Sequence, residues 1–189
     1  MKRLAVYCGS ATPTDPRYVA LAQEVGRTLA KEDIGIVYGG GRLGLMGIVA
    51  DTVINAGGVA YGVIPRTLVD KEVAHTGLTD LYTVTTMHER QAKMTELCDA
   101  FVCLPGGIGT LDELYEAWTW NALGYHAQPF ALLNTAGFWT PFVKMMEHIS
   151  ESGFLSKSRL QQMIVADTPN EAINLLDEAA AGATQGMVW

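Results

Sequence analysis

The chain has 189 residues, of which 49% are hydrophobic and 17% are charged, and its formal net charge is −7. This length and apolar content predict one globular domain over residues 1–189, while the negative charge argues against a nucleic-acid partner, because phosphate backbones recruit lysine and arginine. No apolar run approaches membrane-spanning length, and the first one is too short for a signal peptide, so we expect neither a membrane anchor nor a leader.

Strand and helix patterns alternate along the chain. The predicted strands are Leu4–Cys8, Ile34–Tyr38, Val59–Ile64, Leu81–Thr85, Phe101–Leu104, Phe130–Asn134 and Met163–Ala166. The predicted helices are Arg17–Lys31, Leu43–Asn55, Met87–Cys98, one that begins at Leu111, Phe138–Ser152 and Pro169–Ala181, with Thr67–Asp80 as a polar loop or lid. Apolar, non-alternating strands separated by helices predict a doubly wound, Rossmann-like α/β domain with a parallel sheet of about seven strands. Ligands of such folds bind at the carboxyl ends of the strands.

A glycine-rich turn, Gly39-Gly40-Gly41-Arg42-Leu43-Gly44, follows the second predicted strand. It contains the Gly-x-Gly-x-x-Gly spacing of dinucleotide sites, but the next strand ends in Pro65-Arg66 without the acid that holds a ribose. An NAD(P) oxidoreductase is therefore disfavoured. The plainer alternative is a tight turn in which Gly44 and Gly47 permit close packing, although three consecutive glycines exceed what such a turn needs.

The segment Thr86-Met87-His88-Glu89-Arg90 opens the fourth predicted helix. Thr86 and Glu89 have the spacing of a capping box, which is the favoured interpretation of Glu89. Arg90 shares a helix face with Met87 and with Met94 in the next turn. An arginine among methionines indicates a bound anion; the alternative is a solvent-facing arginine whose stem covers apolar neighbours.

The most informative stretch runs from Leu104 through Pro105-Gly106-Gly107-Ile108-Gly109-Thr110 to Glu113. A strand that turns through several glycines into a helix N-terminus presents backbone N–H groups to an anion such as a phosphate. Glu113 follows on the first predicted turns of that helix. The alternative is a second capping box, with Thr110 as N-cap and Glu113 at N3. Glu116 lies one turn further on, where it could pair with Glu113 and raise the pKa of one carboxyl group.

The remaining polar residues give little sign of a metal or cofactor. The four histidines have no metal-ligand spacing, so no metal is expected, and no cofactor is required. Cys8, Cys98 and Cys103 are odd in number and lack Cys-x-x-Cys spacing, which predicts reduced core thiols in a cytoplasmic protein. Four aromatic residues, Tyr115, Trp118, Trp120 and Tyr125, follow the glycine motif. They are either core residues or part of a homodimer interface.

Three motifs together resemble one family over most of the chain. They are Pro105-Gly106-Gly107-Ile108-Gly109-Thr110-Leu111-Asp112-Glu113, Met87-His88-Glu89-Arg90 and Tyr38-Gly39-Gly40-Gly41-Arg42-Leu43-Gly44-Leu45-Met46-Gly47. The family is the LONELY GUY-type cytokinin riboside 5′-monophosphate phosphoribohydrolases, whose members are often mislabelled lysine decarboxylases. One departure is Gln91, where the family commonly has lysine; Lys93 lies two residues on and could supply that charge.

The resemblance implies hydrolysis of the N-glycosidic bond of AMP or an N6-modified AMP, releasing the free base and ribose 5-phosphate. It implies a catalytic pair, Arg90 and Glu113. Further implied substrate contacts are Gly40, Gly41, Glu72, Met87, Gly106, Gly107, Gly109, Thr110 and Thr119. It also implies a homodimer or larger homo-oligomer. A non-catalytic nucleotide carrier or sensor on the same fold is the alternative function.

Overall fold

A computed structural model describes residues 1–72 and 74–185, without the side chains of residues 70–72 and 183–185. The strands are β1 (Arg3–Tyr7), β2 (Gly35–Tyr38), β3 (Ala60–Pro65), β4 (Asp80–Val84), β5 (Ala100–Cys103), β6 (Phe130–Leu133) and β7 (Met163–Ala166). The helices are α1 (Pro16–Lys31), α2 (Gly44–Asn55), α3 (Arg66–Glu72), α4 (Met87–Leu97), α5 (Ile108–Ala122), α6 (Thr140–Glu151), α7 (Lys157–Leu160) and α8 (Pro169–Gln185). All seven strands form one sheet, so the predicted doubly wound α/β fold is confirmed.

The sheet has the strand order β4-β3-β2-β1-β5-β6-β7, and every pairing is parallel. The chain begins at the centre, moves outward to β4 and then returns to the other side of β1. Leu4 accordingly pairs with Ile36 of β2 on one side and with Ala100 of β5 on the other. Strand order reverses between β1 and β5, and the loops that leave these two strands diverge there, which is where such folds bind ligands.

Helices cover both faces of the sheet because neighbouring residues of a strand point to opposite sides. On one face Leu4 and Val6 pack with residues of α1, α2 and α8. On the other face Ala5 and Tyr7 pack with residues of α4, α5 and α6. Both faces of β1 are therefore shielded from solvent, which explains why its sequence is continuously apolar.

The segment predicted as a loop, Thr67–Asp80, is partly helical. Pro65 closes β3, and α3 follows it directly. The chain then returns along the glycine-rich turn: Gly41 bridges Ala74, and the His75 N–H donates to the Gly40 carbonyl over 2.9 Å. The buried His75 ring also contacts Asp51 of α2 at 3.1 Å. This segment is thus attached to the body of the fold.

Two further differences from the sequence prediction lie after β6. The helix predicted over Phe138–Ser152 is α6, which begins at Thr140 with a proline in its first turn; a 3-10 turn, Thr135–Gly137, precedes it. The four-residue helix α7 was not predicted, because its hydrophobic pattern is too short to show a period. Among the described helices, none combines the length and apolarity that a membrane crossing requires.

Candidate active site

A cleft of about 210 Å³ opens at the point where strand order reverses. The loop after β1, from Cys8 to Ala11, forms one wall, and the first turn of α5 forms the other. Arg90 and Glu113 lie in the same cleft, together with Met46 of α2. The structure thus brings together the two predicted catalytic residues and most of the predicted phosphate loop.

The first turn of α5 begins earlier than the sequence predicted. Gly107, not Thr110, is the N-cap residue, and no side chain in the described part of the chain caps this helix end. The capping box of Thr110 with Glu113 is therefore wrong: Thr110 is the third helical residue and Glu113 is the sixth. The N–H groups of Ile108, Gly109 and Thr110 occupy the first turn, where α-helices leave such donors for a ligand or water.

The glycines of this turn have two different functions in the packing. A Cβ at Gly106 would overlap the hydroxyl of Thr110, which is itself buried, so Gly106 is needed for close packing. A Cβ at Gly107 or Gly109 would meet no protein atom within 4 Å. Those two positions face open space at the cleft, which leaves their backbone accessible to a ligand.

Arg90 is 6% exposed, so it is not a solvent-facing arginine. Its Nε donates to the Val63 carbonyl at 3.2 Å, and Nη1 lies 3.9 Å from the sulfur of Met87. Its Nη2 lies 3.4 Å from Oε1 of Glu113. The anion that this arginine meets within the protein is therefore the Glu113 carboxylate.

Gly39 makes room for that arginine, a role that sequence analysis did not assign. A Cβ at position 39 would overlap Nη2 of Arg90 and would lie 3.1 Å from the sulfur of Met46. The requirement appears only when β2 and α4 are packed together. The sequence did contain a signal for this role: the three consecutive glycines are more than a tight turn needs.

The Glu113 carboxylate lies over the carboxyl ends of β1 and β5, with 13% of its side chain exposed. Burial raises the pKa of Tyr7 well above its usual value, and the negative charge of Glu113 raises it further. The same two causes, in the same order, raise the pKa of the Cys8 and Cys103 thiols. All three cysteines are buried and unpaired, as predicted. Glu113 therefore lies above neutral phenol and thiol groups.

Glu116 pairs with His88 at 3.4 Å. The sequence had suggested Glu113 as its partner. The pKa of Glu116 is raised, first by burial and then by Asp112, while the hydrogen bond and charge of His88 lower it. The N-cap predicted for α4 is present: Thr86 accepts from the Glu89 N–H at 3.1 Å. The Glu89 carboxylate accepts from the Thr85 N–H at 2.7 Å. Glu89 thus stabilises the start of the helix that carries Arg90.

The other predicted substrate contacts lie around or away from this cleft. Gly40 has φ +75° and packs against β3 and Leu81, while Gly41 bridges Ala74. Gly44 and Gly47 permit close approach to the Ser10 and Arg42 backbones, as the packing interpretation expected. Met87 is 43% exposed beside Arg90.

Two predicted contacts cannot be placed in the cleft. Glu72 ends α3, and its side chain lies outside the described residues. Thr119 lines a separate apolar groove of about 260 Å³ between α5, α6 and α7.

Gln91 and Lys93 do not supply a second positive charge at the cleft. Gln91 is 3% exposed and donates inward to the Tyr7 hydroxyl at 2.6 Å. Lys93 pairs with Glu96 at 2.9 Å and lies over the Tyr82 ring. The expectation that Lys93 replaces a charge at position 91 is therefore wrong. Within residues 1–72 and 74–185, no cluster of His, Cys, Asp and Glu has the arrangement of a metal site.

Comparison with known proteins identifies relatives over the whole chain. The family described as "Possible lysine decarboxylase" matches residues 46–176. The cytokinin riboside 5′-monophosphate phosphoribohydrolase LOG of Oryza sativa subsp. japonica is 40% identical over all of this chain and 78% of its own length. The cytokinin riboside 5′-monophosphate phosphoribohydrolase of Rhodococcoides fascians is 40% identical over 91% of this chain and 87% of its own.

Solved structures agree on the fold. The molybdenum cofactor carrier protein of Chlamydomonas reinhardtii superimposes with a TM-score of 0.70 over 95% of this chain and 98% of its own. Its sequence is only 18% identical, so the likeness extends to the fold alone.

Proposed function

The chain belongs to the family of cytokinin riboside 5′-monophosphate phosphoribohydrolases, and on that premise we propose that it hydrolyses the N-glycosidic bond of AMP or N6-modified AMP. Water replaces the base at C1′ of the ribose, and the products are the free base and ribose 5-phosphate. The observation that carries this proposal is the Arg90–Glu113 pair, held 3.4 Å apart beside a helix N-terminus that no described side chain caps.

The first turn of α5 is the site for the 5′-phosphate. The N–H groups of Ile108, Gly109 and Thr110 and the helix dipole favour an anion at this position. Gly107 and Gly109 leave space for the phosphate to reach the backbone. Gly106 contributes indirectly, because its lack of a Cβ lets Thr110 pack into the turn.

Glu113 lies one turn further along α5, which places its carboxylate toward the ribose when the phosphate occupies the helix end. Breaking a ribosyl C–N bond develops positive charge on the sugar ring. A carboxylate can stabilise that charge, hold the ribose hydroxyls or activate the attacking water. Arg90 fixes the carboxylate in the cleft and provides a positive charge at its floor.

Gly40, Gly41, Glu72 and Met87 complete the proposed nucleotide site. Gly40 and Gly41 belong to the turn that begins with Gly39 beneath Arg90, and Met87 lies against the arginine itself. Glu72 ends the helix that follows β3. The family motifs that contain Gly40, Gly41 and Met87 support extending the base of the nucleotide toward these positions, which lie outside the described lining of the cleft.

Thr119 lies outside the cleft, so we propose that a second copy of the chain brings it to the substrate in a homodimer or larger homo-oligomer. Large apolar side chains are exposed in α5 and in the segments that follow it: Tyr115, Leu123, Tyr125 and Phe154 are 39%, 66%, 76% and 88% exposed. Light scattering coupled to gel filtration measures the assembly, and a monomeric mass would contradict this part of the proposal.

Lysine decarboxylation, which the family description mentions, requires different chemistry. It normally uses a pyridoxal cofactor held as a Schiff base by a lysine. Among the described residues that line the cleft, none is a lysine. We therefore propose that the reaction needs no cofactor.

We also propose that residues 1–189 form a single nucleotide-binding domain. Its three unpaired, buried thiols suit the reducing environment of the cytoplasm.

The test is to incubate the purified protein with N6-isopentenyl-AMP, AMP and isopentenyl adenosine and to quantify the free base by chromatography. We expect release of the free base from the monophosphates and none from the riboside, because the riboside lacks the 5′-phosphate that α5 binds. The two monophosphate rates rank the N6 substituent. AMP binding without base release from any compound would instead show a nucleotide carrier.

A further inference from the structure

Gln91 forms a buried bridge between three elements that meet under the cleft. Its side-chain nitrogen donates to the hydroxyl of Tyr7, on β1, at 2.6 Å. The same nitrogen lies 3.5 Å from the backbone carbonyl of Glu113, on α5. Since Gln91 follows Arg90 on α4, one helix supplies both the guanidinium that faces the Glu113 carboxylate and the amide that faces its backbone.

The chemistry of the partners fixes the orientation of this amide. A backbone carbonyl only accepts, so the nitrogen of Gln91 and not its oxygen must face Glu113. The two hydrogens of that nitrogen match the two acceptors, the carbonyl and the phenol oxygen. Tyr7 cannot shift to another position easily, because it is 1% exposed and its ring stacks on Phe101 with centroids 5.6 Å apart.

The bridge adds no charge beneath Glu113. The titratable groups that face this carboxylate from below are Tyr7 and Cys8 at the end of β1 and Cys103 of β5, and all three stay protonated. From α4, Arg90 contributes the positive charge. On α5 itself, Asp112 and Glu116 are the acidic neighbours, and Glu116 is paired with the imidazole of His88. The Gln91 amide is thus neutral, and Arg90 is the one buried cation among the described residues that line the cleft.

We propose that Gln91 and Tyr7 are positioning residues for the reaction: their bridge fixes α5 at Glu113 relative to Arg90, and it does so without placing a second cation under the carboxylate. This inference rests on the proposed hydrolase function. Neither residue touches the substrate in this scheme. Loss of the bridge should therefore lower turnover and hardly change nucleotide affinity, whereas a cation placed at position 91 should shift the pH dependence.

The first test removes the bridge. Gln91→Met keeps the length of the side chain but loses both hydrogen bonds, and we expect kcat to fall by about 10- to 100-fold with KM changed less than about twofold, as for a misplaced catalytic group. Tyr7→Phe removes one acceptor and should lower kcat by a smaller factor. Because both changes act on one bridge, the double variant should be no slower than Gln91→Met.

Gln128→Met is the matched control. Gln128 is a partly buried glutamine, which donates to the carbonyls of Thr95 and Cys98 away from the cleft. Its loss should change kcat less than about twofold while imposing a comparable loss of buried hydrogen bonds. Circular dichroism and AMP titration of each variant verify that the fold and the nucleotide site are intact.

The second test concerns charge. Gln91→Lys places an ammonium group beside Glu113, and we expect the acid limb of kcat/KM to move about one pH unit lower, because a nearby cation favours the carboxylate. Gln91→Met should leave that limb in place. If Gln91→Lys does not fold, Gln91→Met and Tyr7→Phe still test the positioning role.

The outcomes separate this inference from the proposed function. Wild-type protein that releases no base from any monophosphate would overturn the function itself. Active wild-type protein with an equally active Gln91→Met variant would overturn only the positioning role. Losses that multiply in the Gln91→Met, Tyr7→Phe double variant would contradict the shared bridge, whereas a non-additive loss with an unchanged KM would support it.

Discussion

Gly39 and Arg90 fit together because position 39 has no Cβ: a methyl group there would occupy the space of the guanidinium Nη2. We expect Gly39→Ala to displace Arg90 from Glu113 and to lower kcat by about 100-fold or more, as for removal of a positioned charge. Steady-state base release from AMP measures this. Gly182→Ala is the control, since a Cβ there meets no protein atom within 4 Å; equal activity of the two variants would refute the steric argument.

Glu113→Gln should fold normally and lose most of its turnover. The amide has the size of the carboxylate but cannot carry its negative charge, so kcat should fall by about 10²- to 10⁴-fold. Glu116→Gln makes the same change one turn further along α5, at a side chain that pairs with His88. It should keep nearly full activity. Comparable losses in both variants would remove Glu113 from the reaction.

Alanine substitutions at the two kinds of glycine in the α5 turn should have opposite effects on stability and on substrate binding. Gly109→Ala adds a Cβ in open space within a helix, so the melting temperature should stay the same or rise slightly while the KM for monophosphates rises. Gly106→Ala forces a Cβ into Thr110 and should destabilise the fold by about 1–3 kcal/mol, as overpacking does. Thermal unfolding and substrate titration distinguish the two. A destabilised Gly109→Ala with normal KM would contradict a phosphate site here.

Glu116 should make stability depend on pH. Burial raises its pKa in the folded protein above the value of 4.5 in an exposed chain. The folded state therefore binds more protons between these two values, and this residue's contribution to stability is lost as pH rises through the raised pKa. Glu116→Gln should melt at a higher temperature than wild type at pH 7, with the difference vanishing below pH 4. A constant difference across that range would disprove the linkage.

Much of this architecture could be predicted from the sequence because it depends on local patterns. Apolar runs such as Phe101–Leu104, each followed by a helical period, lead directly to a parallel sheet with its sites at one edge. The N-cap at Thr86 was equally local and is present, while the Glu89 carboxylate accepts from Thr85, one residue before the cap. Arg90 stood out because a charged residue shared a face with methionines.

The wrong or missed predictions concern two kinds of residue. Some belong to a local pattern that has two interpretations, and the contacts of others depend on packing between distant segments. Thr110 and Glu113 have capping-box spacing, but glycine is also an acceptable N-cap, and the N-cap of α5 is Gly107 in place of Thr110. The need for Gly39 depends on the distance between β2 and α4. The inward direction of Gln91 depends on a tyrosine 84 positions earlier in the chain. Helical spacing alone does not reveal either contact.

The helix end at Gly107 has a consequence for the order of events in catalysis. Under the proposed reaction, the phosphate that completes the first turn of α5 belongs to the ribose product and not to the departing base. Hydrolysis therefore leaves the principal anchor in place, and the base should dissociate before ribose 5-phosphate does. Ribose 5-phosphate, and any other small phosphomonoester that reaches the same N–H groups, should compete with the nucleotide. The rate of product departure then limits how fast the enzyme can begin its next cycle.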